Sequence, residues 1–114
     1  MAGDLRLTVV FYRSEAGREP VREWLKGLPK EERKVIGIDL KTVQFGWPLG
    51  MPLVRKLEPG LWEVRSSLAG RIARVLFTVM DERLILLHGF IKKSQKAPAT
   101  DLKTACSRKA ELEN

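Results

Sequence analysis

The sequence predicts a small α+β domain with an antiparallel sheet, a helical hairpin near the N-terminus and a closing helix. Three observations carry this. Apolar residues recur at helical spacing in two adjacent stretches after residue 20, and again after Pro98. Between them, apolar residues alternate or run continuously, as in strands. The strands follow one another through short turns, which favours antiparallel pairing. At 114 residues the chain suits one domain, residues 1–114. A domain of this size buries roughly two thirds of the surface its unfolded chain exposes, so it folds without covalent staples.

The elements follow in order. "LRLTVVFYR" (Leu5 to Arg13) is rich in β-branched and aromatic residues and reads as a strand. Pro20 opens a helix, because its missing N–H costs nothing in a first turn. Val21, Trp24, Leu25 and Leu28 then form one stripe. Gly27 and Pro29 break that helix and start a second, "PKEERKVIGIDLKTVQFG", with Glu31 and Glu32 favourably placed at its positive end. Ile36, Leu40 and Val43 make its buried face. "GWPLGMP" is a loop. "VRKLEPGLWEVRSS" reads as extended runs about a type II turn, with Pro59 and Gly60 at its centre. In "GRIARVLFTV", Ala73, Val75, Phe77 and Val79 share one face; Ile72, Arg74, Leu76 and Thr78 share the other. "MDER" is a tight turn. "LILLHGFIK" is almost wholly apolar and reads as a strand covered on both faces. The order is thus β, α, α, three consecutive β, then α. The last helix carries Leu102, Ala105, Cys106 and Lys109 on one stripe.

The charge points to a partner. A net charge of +7 and a pI near 9.9 suit a polyanion: nucleic acid, a ribosome or an acidic protein. The N-terminal "MAGDLRLTVVFYR" has an early acid and a short apolar run, so neither a secretory signal nor a membrane span is expected. The single cysteine, Cys106, allows no internal disulfide, and the cytoplasm is the expected location.

Familiar catalytic devices are missing from the sequence. One histidine and one cysteine give no metal-ligand spacing, and there is no Gly-rich phosphate loop or nucleophile elbow. Cys106 on an apolar stripe reads as a structural thiol rather than a partner for His88. His88 itself reads as a hydrogen-bonded core histidine or as an acid–base residue or a support for one. Trp24, Trp47 and Trp62 read as core rather than as base-stacking platforms, with Trp62 facing away from Glu63 and Arg65. What remains is a cationic set: Arg65, Arg71, Arg74, Lys92, Lys93 and Lys96. If the strands are neighbours, Arg65, Arg74 and one of Lys92 and Lys93 converge. Arg74 sits mid-strand among apolar residues, where it either pairs with an acid such as Glu63 or binds a phosphate in fork geometry.

"LWEVR", "RVLF" and above all "ILLHGFIKKSQKAP" resemble the HigB-type, phage-derived branch of the RelE/ParE toxin superfamily. "FYRSEAGREPVREWLKGLP" is similar to that family's opening strand and helix. The resemblance implies a twisted antiparallel sheet. It implies a toxin of a type II toxin–antitoxin pair, with a helix-turn-helix, HigA-like antitoxin as partner. Relatives of this kind cleave mRNA, commonly on the ribosome and without a metal, by attack of a ribose 2′-OH on the adjacent phosphate. Carried onto this chain, Arg65 and Arg74 would hold the phosphate, Lys92 or Lys93 would move protons, and Arg71 and Lys96 would bind RNA. Crowded cations lower a lysine pKa, which suits that role. No cofactor or membrane is implied. The chain departs from many relatives at Ala73, where they carry an aromatic residue before the arginine, and its only tyrosine is Tyr12. A ParE-like DNA gyrase binder and a basic RNA-binding module are the rival expectations.

Overall fold

The computed structural model describes residues 7–92 and 99–113, with the side chain of Lys92 left out. The elements are β1 (Thr8–Phe11), α1 (Pro20–Lys26), α2 (Lys30–Gly46), β2 (Val54–Glu58), β3 (Leu61–Leu68), β4 (Arg71–Met80), β5 (Arg83–Lys92) and α3 (Ala99–Leu112). The fold is α+β, as the alternating patterns predicted. One sheet holds five strands in the order β1-β5-β4-β3-β2.

Two expectations about the sheet are corrected. The first is its strand count after the helical pair, which is four rather than three. The short run before the "EPG" turn is itself a strand, with Val54 paired to Val64 and Lys56 to Trp62. The second is direction. β2 to β5 are antiparallel, but β1 lies parallel to β5, with Thr8 opposite Arg83 and Phe11 opposite Leu86. A hairpin forces antiparallel pairing only between strands it joins; β1 reaches β5 through the whole intervening chain, which leaves the parallel choice open.

The sheet has a core on each face. On one, Val64, Ala73, Val75, Phe77, Leu84 and Leu86 pack against Val21 of α1 and Ile36, Leu40 and Val43 of α2. On the other, Leu61, Leu76, Ile85 and Leu87 pack with Tyr12 and with Ala105 of α3. The alternation read along β4 is the one observed. A strand covered on both faces must be apolar on both, which explains "LILL".

One irregularity sets up the site. β4 and β5 slip by a residue between the pairs Leu76–His88 and Phe77–Leu86, so Leu87 is extra. In such a bulge two residues of one strand oppose one of the other. Leu87 belongs to the α3-side core and His88 also lies on that side, against Asp101 of α3. Without the bulge, alternation would turn His88 toward α1 and α2.

The turns obey local rules, with one exception. Gly60 takes a φ of 78° at the second central position of the β2–β3 turn, where a type II turn requires it. The β4–β5 hairpin, however, places Asp81 at φ 51° and Glu82 at φ 62°. A two-residue turn with both centres left-handed favours Asn-Gly or Asp-Gly. Glu82 bears that backbone without help from its exposed side chain. Its carbonyl still accepts the Thr8 N–H at 3.0 Å, a contact glycine would keep. Glu82→Gly is therefore expected to stabilise the fold by about 0.5–1 kcal/mol, relief of left-handed strain outweighing the added freedom of the unfolded chain. A urea unfolding midpoint that fails to rise would count against it.

Candidate active site

The α3-side face carries three rows across β3, β4 and β5. Glu63, Leu76 and His88 form one, Arg65, Arg74 and Phe90 the next, and Ser67, Ile72 and Lys92 occupy the third register position. α3 covers the apolar end of this face. Its first turn reaches the row of His88.

Arg74 differs from the open placement the sequence suggested. It is 1% exposed. Its Nη1 lies 3.4 Å from Oε1 of Glu63, itself fully buried. The acid pairing weighed as the alternative is the one present. The reason is depth: both side chains leave strands inside the sheet and are almost wholly removed from solvent, and a guanidinium there needs a carboxylate. Arg65 stands directly opposite Arg74 and is half-buried. Two atoms of this cluster, Glu63 Oε2 and Arg65 Nε, are buried without a hydrogen-bond partner among the described residues.

Arg71, expected to bind RNA, sits apart from Arg65 and Arg74. It precedes Ile72 in the alternation and so falls on the opposite face from Arg74. There its Nε and Nη2 grip the Glu32 carboxylate of α2, the Nε bond measuring 3.1 Å. It ties α2 to the β3–β4 hairpin and does not join Arg65. Lys92 closes β5 opposite Ile72. Lys93 and Lys96 lie outside the described residues.

His88 is the least anticipated member. Its Nε2 lies 2.6 Å from Oδ1 of Asp101, and both side chains are about one fifth exposed. An ionised carboxylate only accepts, so Nε2 carries the proton in this contact. The Phe90 ring stacks beside the imidazole at 5.6 Å between centroids. Asp101 was missed from sequence. Its only signal is an acid in the first turn of a helix, which ordinarily reads as a response to the helix dipole.

Three more contacts fix α3. Arg108 donates from Nη1 to the Leu87 carbonyl at 2.8 Å, and its guanidinium lies over the Tyr12 ring. The Tyr12 hydroxyl donates to Glu111 at 2.6 Å. The Glu111 carboxylate, aided by burial, pushes the Tyr12 phenol above its ordinary pKa, so it stays protonated. Cys106 behaves as the structural thiol expected: burial, and then the Glu58 carboxylate that its sulfur approaches at 3.6 Å, push its pKa up. The tryptophans also hold the fold. Trp47, Trp62 and Phe77 pack together at 4.9–6.0 Å on the α2 side.

Among the described residues no group of three or more His, Cys, Asp or Glu is placed to hold a metal ion, and no helix is long and apolar enough to cross a membrane. A comparison with curated proteins finds no match. A family model does match, that of the phage-derived Gp49-like proteins (DUF891), over residues 23–110. This span opens in α1, ends in α3 and holds every residue of the candidate site. The chain belongs to the phage-derived Gp49-like family.

Proposed function

We propose that the chain is the toxin of a type II toxin–antitoxin pair, of the HigB kind. In this reading it halts growth by cutting mRNA on the ribosome, in the cytoplasm and without a metal. A helix-turn-helix antitoxin silences it. Membership of a phage-derived family supports the setting. The observation that carries the chemistry is the facing of Arg65 and Arg74 across β3 and β4. Like charges directly opposite destabilise a sheet. Glu63, fully buried, lies 3.4 Å from Arg74 Nη1, while Arg65 Nε is buried without a hydrogen-bond partner among the described residues. Two facing cations that break a local rule, with a buried N–H of Arg65 left unpartnered among the described residues, suit an incoming anion, and the RNA phosphate is that anion. Arg65, half-buried and nearer the exterior, makes the contact; Arg74 supports it from beneath. Lys92, Lys93 and Lys96, which follow in the sequence from the end of β5, are the further cations of this reading.

The test is induced expression of the wild type and of Arg65→Ala, read by growth, by primer extension on mRNA and by a thermal melt. Arg65→Ala is expected to stay folded and to cut mRNA about 100-fold more slowly, the usual loss when one preorganised donor to a developing anion is removed. A folded Arg65→Ala that still cuts would defeat the assignment. Growth arrest with intact mRNA and damaged DNA would favour gyrase poisoning instead.

A further inference from the structure

We propose that His88 is the catalytic base that takes the proton from the attacking ribose 2′-hydroxyl, and that Asp101 is its positioning residue. This rests on the nuclease reading above and names the proton acceptor within it. The bulge at Leu87 puts His88 on the same face as Arg65 and Arg74. Asp101 then holds Nε2 as the donor, at 2.6 Å. A neutral imidazole so held presents its lone pair at Nδ1. Phe90 stacks alongside and limits rotation of the ring. The pairing with Asp101 is the one ring hydrogen bond of His88 among the described residues, and the side chain stays partly open to solvent.

The spacing suits one nucleotide step. His88 lies two strands from Arg65 and one row along. That is about 10 Å across the sheet and about 7 Å along it. A long arginine side chain reaching a phosphate covers much of this, and the ribose bearing the attacking hydroxyl covers the remainder.

The chemistry also divides naturally. An imidazole titrates near neutral pH, where a lysine is a cation and no base. In the step, the 2′-hydroxyl proton passes to His88 Nδ1 as the O2′–P bond forms. The P–O5′ bond breaks, and the departing 5′-oxygen takes a proton from water. The products are a 2′,3′-cyclic phosphate and a 5′-hydroxyl. Loss of the 2′-hydroxyl proton to water resets His88. Among the described residues, the charged groups around His88 are Asp101 and Arg108 on α3, Arg74 on β4 and Glu63 on β3.

The experiment measures single-turnover cleavage of mRNA on translating ribosomes between acid and mildly alkaline pH. It compares the full-length wild type, His88→Gln and Asp101→Asn, each with a thermal melt and an RNA-binding measurement. The wild-type rate is expected to rise with pH along an acid limb, as a base must be deprotonated to act. His88→Gln should lose at least about 100-fold in rate and the acid limb with it, while RNA binding holds. Asp101→Asn should slow cleavage and move the acid limb. If the wild type cuts and His88→Gln cuts with the same rate and limb, the base assignment fails and the nuclease reading stands. The assignment also fails if His88→Gln is folded but no longer binds RNA. If His88→Gln does not fold, Asp101→Asn decides: an unmoved limb overturns the dyad. A wild type that leaves mRNA whole removes both readings together.

Discussion

Arg74→Ala is expected to cost about 3–5 kcal/mol of stability, the range for breaking a buried ion pair from one side. Arg74 is 1% exposed and Glu63 fully buried, so truncation leaves a carboxylate in the sheet interior without its cation. Domains of this size are stable by roughly 5–15 kcal/mol, so the variant loses a large part of its margin. On the proposed function, growth inhibition falls both because folded protein is lost and because Arg65 loses the support of Arg74. Urea unfolding measures this directly, as a lower midpoint with an unchanged slope. Removing both partners separates the causes. Glu63→Leu with Arg74→Met deletes the unpaired charge and keeps apolar bulk, and should recover most of the stability without recovering cleavage. An Arg74→Ala protein that melts with the wild type would show that the pair holds little of the fold, and would return Arg74 to direct contact with RNA.

That result turns on burial, the property the sequence showed least well. The faces of β4 were legible, because alternation is local: Ala73, Val75 and Phe77 parted from Ile72, Arg74 and Leu76 as read. The two helices after Pro20 and the turn at Gly60 were legible too, each being set by residues a few positions apart. Contacts between distant residues were not. Glu32 claims Arg71 from 39 positions away, and nothing near Arg71 announces it. Asp101 meets His88 only because α3 folds back onto the sheet. The bulge at Leu87 was hidden for a different reason. A continuous apolar run has no polar residue to mark which face each position takes, so a one-residue slip leaves no trace in it.

Gly89→Ala is the second large effect, and it links the two faces. A Cβ at Gly89 would lie 2.4 Å from Cε3 and 2.5 Å from Cζ3 of the Trp24 ring. The missing side chain is what lets α1 lay Trp24 flat on β5. The ring has little room to yield, because Val21 of the same short helix is fully buried and holds α1 down. Overpacking of this kind costs about 1–3 kcal/mol. The consequence reaches the site, because Gly89 lies between His88 and Phe90, which face the other way. A strand pushed away from α1 carries both toward α3 and disturbs the Asp101 contact. If the proposed nuclease function holds, cleavage by Gly89→Ala falls further than its loss of folded protein explains. Pairing it with Trp24→Leu makes room for the new methyl group. The double variant should regain activity and part of the lost stability relative to Gly89→Ala alone. Strictly additive effects of the two substitutions on the melt would mean that the contact between them is not what limits the fold, since residues sharing a contact depart from additivity.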